Sequence, residues 1–201
     1  MRVLAASAFV ALSVSAFAIP PVPRKSPEFT ITDPSGKQML LSSLKGKIVV
    51  LPFMFTTCPH CQRYAQELTQ LQKEFAPRGV VFLGTVFNDA NGAMATQFVR
   101  EFSVGFPVGY ATRDQVISYL GLSVLDRWVV PQVAILDKQG NIVAQSAAGG
   151  TPELQDQAYL RNLLDKLVKG GATSSTGAPA AKPAAKTAAK TVAKSSTAKS
   201  N

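Results

Sequence analysis

The 201-residue chain contains one histidine, one tryptophan and two cysteines, and only 12 acidic residues against 21 basic ones. Each shortage excludes something. A tetrahedral zinc site needs four ligands, and two cysteines with the single histidine, His60, lodged between them on one turn fall short of it. No apolar run reaches the roughly 20 residues that span a bilayer; the N-terminal run over residues 3–18 is too short and has no flanking basic stop. Residues 171–201 lack acids and aromatics, so they can neither bury a core nor offer the stacking platforms of a single-strand nucleic-acid site. The remaining composition is that of one globular domain with extensions.

The two ends differ from the middle. Met1-Arg2, the apolar run and the exit Ala16-Phe17-Ala18 have the plan of a secretory signal peptide, residues 1–18, with cleavage expected after Ala18. The alternative is an N-terminal membrane anchor. Residues 19–27 hold four prolines, Pro20, Pro21, Pro23 and Pro27, and read as an extended leader without helix or central strand. A folded domain over 28–170 follows, and then an Ala/Lys-rich tail, 171–201, expected to be disordered. Of the net charge of +9, Arg2 supplies one and the five tail lysines five, which leaves +3 for everything else. The basic balance is therefore chiefly a property of the tail, read either as a solvating segment or as a source of weak attraction to anionic surfaces.

What the chain does have is Cys58-Pro59-His60-Cys61, which holds both cysteines three apart. An apolar, β-favouring run over 48–55 leads into the pair, and a helical pattern over 59–75 leads out of it. Cys58 is thereby placed at a helix N-terminus, where free N–H groups and the positive end of the helix dipole stabilise a thiolate. Pro59 suits the first helical position, which needs no N–H. Cys61, Tyr64, Leu68, Leu71 and Phe75 recur at three or four, so Cys61 is expected on the buried face with Cys58 left reachable. An attacking and a shielded, resolving sulfur are what thiol–disulfide exchange requires. A structural disulfide across so short a loop would remove little unfolded-chain entropy. Export into an oxidising compartment lets a Cys58–Cys61 disulfide persist, so the expected redox centre is that disulfide, with no other cofactor and no metal.

Around this pair the pattern predicts a strand over 28–32, a turn at Asp33-Pro34-Ser35-Gly36 and a short return strand over 37–41, which together form an N-terminal hairpin. A strand over 80–87 is parallel to 48–55 by the βαβ rule. Helices over 93–102 and 114–120, the latter closed by Gly121, flank a short strand over 106–110. Strands over 132–136 and 142–146 join through the turn at 137–141, and a last helix over 152–168 covers the sheet. The expected class is α/β, a mixed central sheet with helices on both faces.

These residues resemble the exported thioredoxin-like proteins of the TlpA/ResA type, within the wider redoxin group. The likeness rests on Phe29-Thr30-Ile31-Thr32-Asp33, Leu44-Lys45-Gly46-Lys47-Ile48, the Cys-Pro-His-Cys motif, Phe106-Pro107-Val108, Val130-Pro131 and Ile135-Leu136-Asp137, and it covers residues 28–169. It implies a thioredoxin-like fold and a thiol–disulfide oxidoreductase that works on protein thiols and disulfides with a redox partner protein. It also implies that Pro131 is a cis-proline facing the cysteines and that Val130 offers its backbone to a bound polypeptide. Trp128, three residues before Pro131, is a candidate substrate contact as well as an ordinary packing residue. The Pro59-His60 dipeptide is similar to that of the oxidising, DsbA-like branch, so His60 is expected to tilt the couple toward oxidation. Three positions depart from the family: Thr57 stands where an aromatic is usual, Pro52 where thioredoxins keep a buried acid, and Tyr64 where ResA-type members carry a glutamate, with Glu67 one turn further on.

Two other functions share parts of this pattern. A peroxiredoxin-like peroxidase would use Pro52, Thr56 and an arginine such as Arg127, but Cys58 follows Thr56 one residue too soon. A Sco-like copper chaperone resembles Phe55-Thr56-Thr57-Cys58-Pro59 yet requires a distant histidine that this chain lacks; two thiolates alone remain able to hold Cu(I). Nucleic acid is not an expected partner.

Overall fold

The computed structural model describes residues 20–170 apart from Val124. The signal-peptide and tail expectations, 1–18 and 171–201, lie outside the described residues. Thirteen elements follow in order: β1 (Arg24–Lys25), β2 (Thr30–Thr32), β3 (Gln38–Leu40), β4 (Ile48–Met54), α1 (Pro59–Phe75), β5 (Val80–Phe82), β6 (Gly84–Val86), α2 (Gly92–Glu101), β7 (Val108–Tyr110), α3 (Arg113–Leu120), β8 (Gln132–Leu136), β9 (Asn141–Gln145) and α4 (Gln157–Val168). The strands join one sheet in the order β1-β9-β8-β4-β6-β7-β2-β3, with β5 also paired to β4. Strand β4 is parallel to β5 and β6, and β6 to β7, while the other pairs are antiparallel. This is a mixed α/β sheet of thioredoxin-like form.

The strand that leads into the cysteine motif is buried along its whole length. All seven residues of β4 are buried, and they divide by alternation between two cores. Ile48, Val50 and Met54 pack with Leu68, Leu71 and Phe75 of α1, Phe98 of α2 and Leu164 of α4. Val49, Leu51 and Phe53 pack with Phe29 and with Val116 and Leu120 of α3. A strand covered on both faces needs an unbroken apolar run, which is why residues 48–54 read as one. Full burial of each large side chain there contributes roughly 1.5–3 kcal/mol.

Pro52 is the exception in that run, and the sheet is arranged around it. The parallel register from Ile48↔Val80 to Val50↔Phe82 resumes unchanged at Phe53↔Thr85. The gap falls opposite Pro52, which has no N–H to give to the neighbouring strand. The single strand expected over 80–87 is for this reason two, β5 and β6. On the other side Val133, opposite Pro52, turns its own N–H and C=O to Ser146 at 3.0 and 2.9 Å, so no donor is needed from the proline.

Two further differences have local causes. The last helix begins later than expected, because a 3₁₀ turn over Pro152–Gln155 precedes Asp156, whose carboxylate caps α4 by accepting from the Tyr159 N–H at 2.7 Å. Within the proline-rich leader, Arg24–Lys25 add an antiparallel edge strand to Ile142 and Asn141 of β9. Arg24 Nη2 donates to Gln145 Oε1 at 2.5 Å, and Ser26 Oγ lies 3.0 Å from the Tyr119 hydroxyl. Pro20 sits against Gly121, which has φ +65° at the end of α3; a Cβ there would lie 2.7 Å from the proline ring. Among the described residues no helix is long and apolar enough to cross a membrane.

Candidate active site

Strand β4 delivers Phe55-Thr56-Thr57 to the start of α1, and Cys58 is the residue before the first helical turn, with extended backbone (φ −90°, ψ 117°). Its sulfur is half-buried, whereas Cys61 is fully buried among the apolar side chains of the α1 face. Both thiols are free. The Phe55 N–H points at Cys61 Sγ from 3.5 Å. Burial pushes the Cys61 thiol far above its ordinary range, and the neighbouring Cys58 thiol adds to the rise against the opposing Phe55 N–H. The two sulfurs thus differ in burial, Cys58 being the more accessible.

The loop before Cys58 is held by three polar side-chain contacts. Thr56 N–H donates to Asn88 Oδ1 at 3.0 Å, Asn88 Nδ2 donates to Thr56 Oγ1 at 3.0 Å, and Gln62 Nε2 donates to the Thr56 carbonyl at 2.9 Å. Asn88 follows the strand that pairs with β4, and Gln62 lies one turn into α1, so sheet and helix both grip the same threonine. Thr56 Oγ1 is thereby engaged by Asn88, and Arg127 is exposed, with no hydrogen bond or ion pair to Cys58. Neither the threonine hydroxyl nor the arginine of the peroxidase reading makes a hydrogen bond to the Cys58 sulfur.

Facing Cys58 is the loop that precedes β8. The Val130–Pro131 bond is cis, Pro131 is buried, and the Val130 carbonyl oxygen lies 4.0 Å from Cys58 Sγ, at the long limit of an S–H···O contact. Trp128 is half-buried. Its ring stacks on Phe87 (centroids 5.8 Å, 30°), meets Phe55 edge-on at 6.1 Å and lies beneath the Arg113 guanidinium at 4.9 Å. Phe55 connects this aromatic group to the cysteine motif. Leu125 (92% exposed) and Val129 (43%) stand out on the same loop. His60 is exposed on the first turn of α1 and makes no hydrogen bond to either cysteine.

The three departures from the resemblance each have a structural counterpart. Pro52 is in the sheet gap described above. Tyr64 is buried, its hydroxyl donates to the Leu154 carbonyl at 2.7 Å, and burial, with Glu67 nearby, pushes its ionisation well above the ordinary phenol range. It ties α1 to the turn before α4 and cannot accept a proton from Cys61. Thr57 is exposed beside Cys58 and, with Gln62, Met94 and Glu101, borders a cleft of about 440 Å³ against α2. Among the described residues no three His, Cys, Asp or Glu side chains gather into a metal site. The sequence places the loop Asn88 to Gly92 beside Trp128 and Val130 as a surface for substrate choice, but not Asn88 as a brace of Thr56, and it does not single out Gln62, Arg113 or Gln132. An amide side chain carries no local signal of which distant backbone it will bond.

Comparison with known proteins agrees with the fold. The chain is 29% identical over 140 residues to thiol-disulfide oxidoreductase ResA of Bacillus anthracis, covering 70% of this chain and 77% of that protein. It is 29% identical over 149 residues to ResA of Bacillus subtilis (strain 168), covering 74% and 76%. In three dimensions it is similar to the thiol:disulfide interchange protein of the thioredoxin family from Chlorobium tepidum TLS, with TM-score 0.60, 23% identity and coverage of 74% of this chain and 99% of that one. A thiol:disulfide interchange protein from Bacteroides sp. gives TM-score 0.61 at 21% identity, covering 78% and 95%. The model of the AhpC/TSA family matches residues 22–145, from the edge strand through both sides of the cysteine cleft to the end of β9, and the chain belongs to that family.

Proposed function

We propose that this protein is a thiol–disulfide oxidoreductase that exchanges disulfides with protein thiols in an extracytoplasmic compartment, with Cys58 as the attacking sulfur and Cys61 as the resolving one. The observation that carries the reading is the pairing of a half-buried Cys58 at the start of α1 with a fully buried Cys61 behind it and the Val130 carbonyl in front. In the reducing direction the Cys58 thiolate attacks a substrate disulfide, forming a mixed disulfide and expelling one substrate thiolate, which takes up a proton. Cys61 then gives up its proton and attacks the Cys58 sulfur, releasing the second substrate thiolate. Two electrons have passed to the substrate, and the protein holds the Cys58–Cys61 disulfide; a redox partner protein reverses the cycle.

Several features support the assignment of roles. Cys58 is the residue before the first turn of α1 and the less buried of the two sulfurs, so it is the one placed both to attack and to leave. The Val130 backbone and Trp128 are suited to receive the substrate chain beside Pro131, and the curated relatives carry the name thiol-disulfide oxidoreductase. His60 has no direct bond to sulfur, so its influence is a long-range tilt of the couple. The couple then lies at an intermediate potential, more oxidising than thioredoxin at about −270 mV, with partner proteins setting direction. The basic start, apolar run and small-residue exit of residues 1–18 support export, and the basic tail suits weak contact with anionic surfaces.

Replacing Cys61 with serine tests the assignment. The variant should accumulate mixed disulfides through Cys58 when offered an oxidised protein substrate, and Cys58→Ser should accumulate none. Trapping through Cys61 instead would reverse the two roles. Parallel titration of the reduced protein with Cu(I) separates exchange from copper carriage, which would appear as tight binding without disulfide turnover.

A further inference from the structure

Gln132 follows Pro131 directly and is fully buried. Its Nε2 donates to the carbonyl of Val129 at 2.7 Å and to those of Ala147 and Ala148, both at 3.2 Å. An amide nitrogen has two hydrogens, so three acceptors at one end share them, and their presence fixes which end of the side chain is nitrogen. The other end, Oε1, is buried with no partner among the described residues. Native interiors rarely leave an acceptor in that state, and its presence calls for a reason. The side chain is turned so that its donor end meets Val129, three residues upstream, and the 147–148 turn.

Val129 N–H donates to the Ala148 carbonyl at 3.0 Å, so both backbone groups of Val129 are taken up by the same clamp. The turn that supplies the other carbonyls is itself tied, by Gly150 N–H to the Ala147 carbonyl at 2.8 Å and by Ala147 N–H to Thr151 Oγ1 at 2.9 Å. Val130 comes next. Its carbonyl faces Cys58 Sγ, and its N–H has no partner among the described residues. The clamp thus immobilises one residue and leaves the backbone groups of its successor free at the reactive sulfur.

We propose that Gln132 is the positioning residue of the substrate loop: its buried amide holds Val129 against the 147–151 turn so that the Val130 backbone is presented, at a fixed height above Cys58, to an extended polypeptide. This rests on the reading of Val130 as a substrate contact. Gln132 acts on docking of the chain and not on the sulfur chemistry, so reactions that need no docked polypeptide are indifferent to it.

The test uses full-length protein with insulin as the protein disulfide and iodoacetamide as a small probe of Cys58. Gln132→Met keeps length and apolar bulk without a donor. It should raise KM for insulin about tenfold, leave kcat within about threefold, and leave the iodoacetamide rate within about twofold of the unsubstituted protein. Gln132→Glu should show the same rise at neutral pH and recover part of it, relative to the unsubstituted protein at each pH, as acidification returns a donor to the carboxyl. An unchanged KM in Gln132→Met, or an iodoacetamide rate that falls as far as exchange does, overturns the proposal. Should both variants fail to fold, Thr151→Val loosens the gripped turn from the surface and decides instead: a KM rise of about threefold supports the clamp, and no rise overturns it. If the unsubstituted protein exchanges with insulin while the variants keep its KM, only the clamp fails; if it never exchanges, the functional reading fails.

Discussion

The two walls of the cysteine cleft are held in opposite ways. The wall that carries Cys58 is braced from outside by exposed or half-exposed polar groups: Asn88 and Gln62 take hold of Thr56, and the Phe55 carbonyl accepts from Cys58 N–H at 3.3 Å. The wall that carries Val130 is braced from inside by one buried amide, Gln132. On the proposed reading the first wall aims a sulfur that has to stay reachable from solvent. The second, on the same reading, offers backbone to a partner, so whatever fixes it has to come from behind. A reactive group and a docking edge place different demands on the same sheet, and adjacent strands β4 and β8 meet them separately.

The contrast between the sulfurs gives the largest expected effect. Iodoacetamide at pH 8 should modify Cys58 at least about 100-fold faster than Cys61 in the reduced protein, because Cys61 is buried and its thiol is held far up by that burial. Mass spectrometry of partially alkylated protein reads the ratio, and equal labelling would remove the distinction on which the first wall rests.

Asn88→Ala breaks the outer brace. It removes two hydrogen bonds to Thr56 and should cost about 1–3 kcal/mol by urea unfolding while slowing exchange about tenfold. A variant that loses stability but keeps its exchange rate would show that Thr56 need not be held for Cys58 to react.

High pH should weaken the core behind both walls. Tyr119 packs on Phe29 and Phe53, and burial pushes its phenol from 10.0 to about 12, with the Ser26 hydrogen bond opposing the rise. Its folded-state value lies above its unfolded one, so its contribution is fully present below pH 10 and is lost as pH climbs from 10 to about 12, by up to about 3 kcal/mol. Tyr119→Phe should flatten that decline in melting temperature, and a decline of undiminished slope would assign it elsewhere.

Two smaller effects lie outside the braces. His60→Ala should make the Cys58–Cys61 couple more reducing by no more than about 30 mV, a shift equivalent to about 1.4 kcal/mol for two electrons, since an exposed imidazole acts through screened charge alone. Equilibration with glutathione measures it, and an unchanged potential would take His60 out of the mechanism. Removal of residues 172–201 should leave the melting temperature and insulin turnover nearly unchanged; a drop of several degrees would show that the tail packs on the domain.

Much of this architecture is visible in the chain itself, for identifiable reasons. The run over 48–54 is unbroken because both faces of β4 are covered, and the spacing of Cys61, Tyr64, Leu68, Leu71 and Phe75 is the buried stripe of α1. The division of 80–87 into two strands was not visible, because the proline that causes it belongs to another strand. The docking of Arg24 and Lys25 onto β9 was equally hidden, since two residues are enough for an edge pairing and too few for a periodicity.

Local sequence by itself determined the sulfur pair, its place at a helix start and the burial of Cys61, because helix geometry and capping act over a few residues. It also determined that no glutamate stands at position 64. The resemblance implied that the Val130–Pro131 loop faces Cys58; only the tertiary structure decided how that loop and its opposite are held, with the Val130 carbonyl 4.0 Å from the sulfur, Trp128 resting on Phe55 and Phe87, and Gln132 and Asn88 holding the two loops. Those contacts span 32 residues between Thr56 and Asn88 and 72 between Cys58 and Val130. They follow from strand order and register, which bring distant residues into one row and leave no pattern in the residues that lie between.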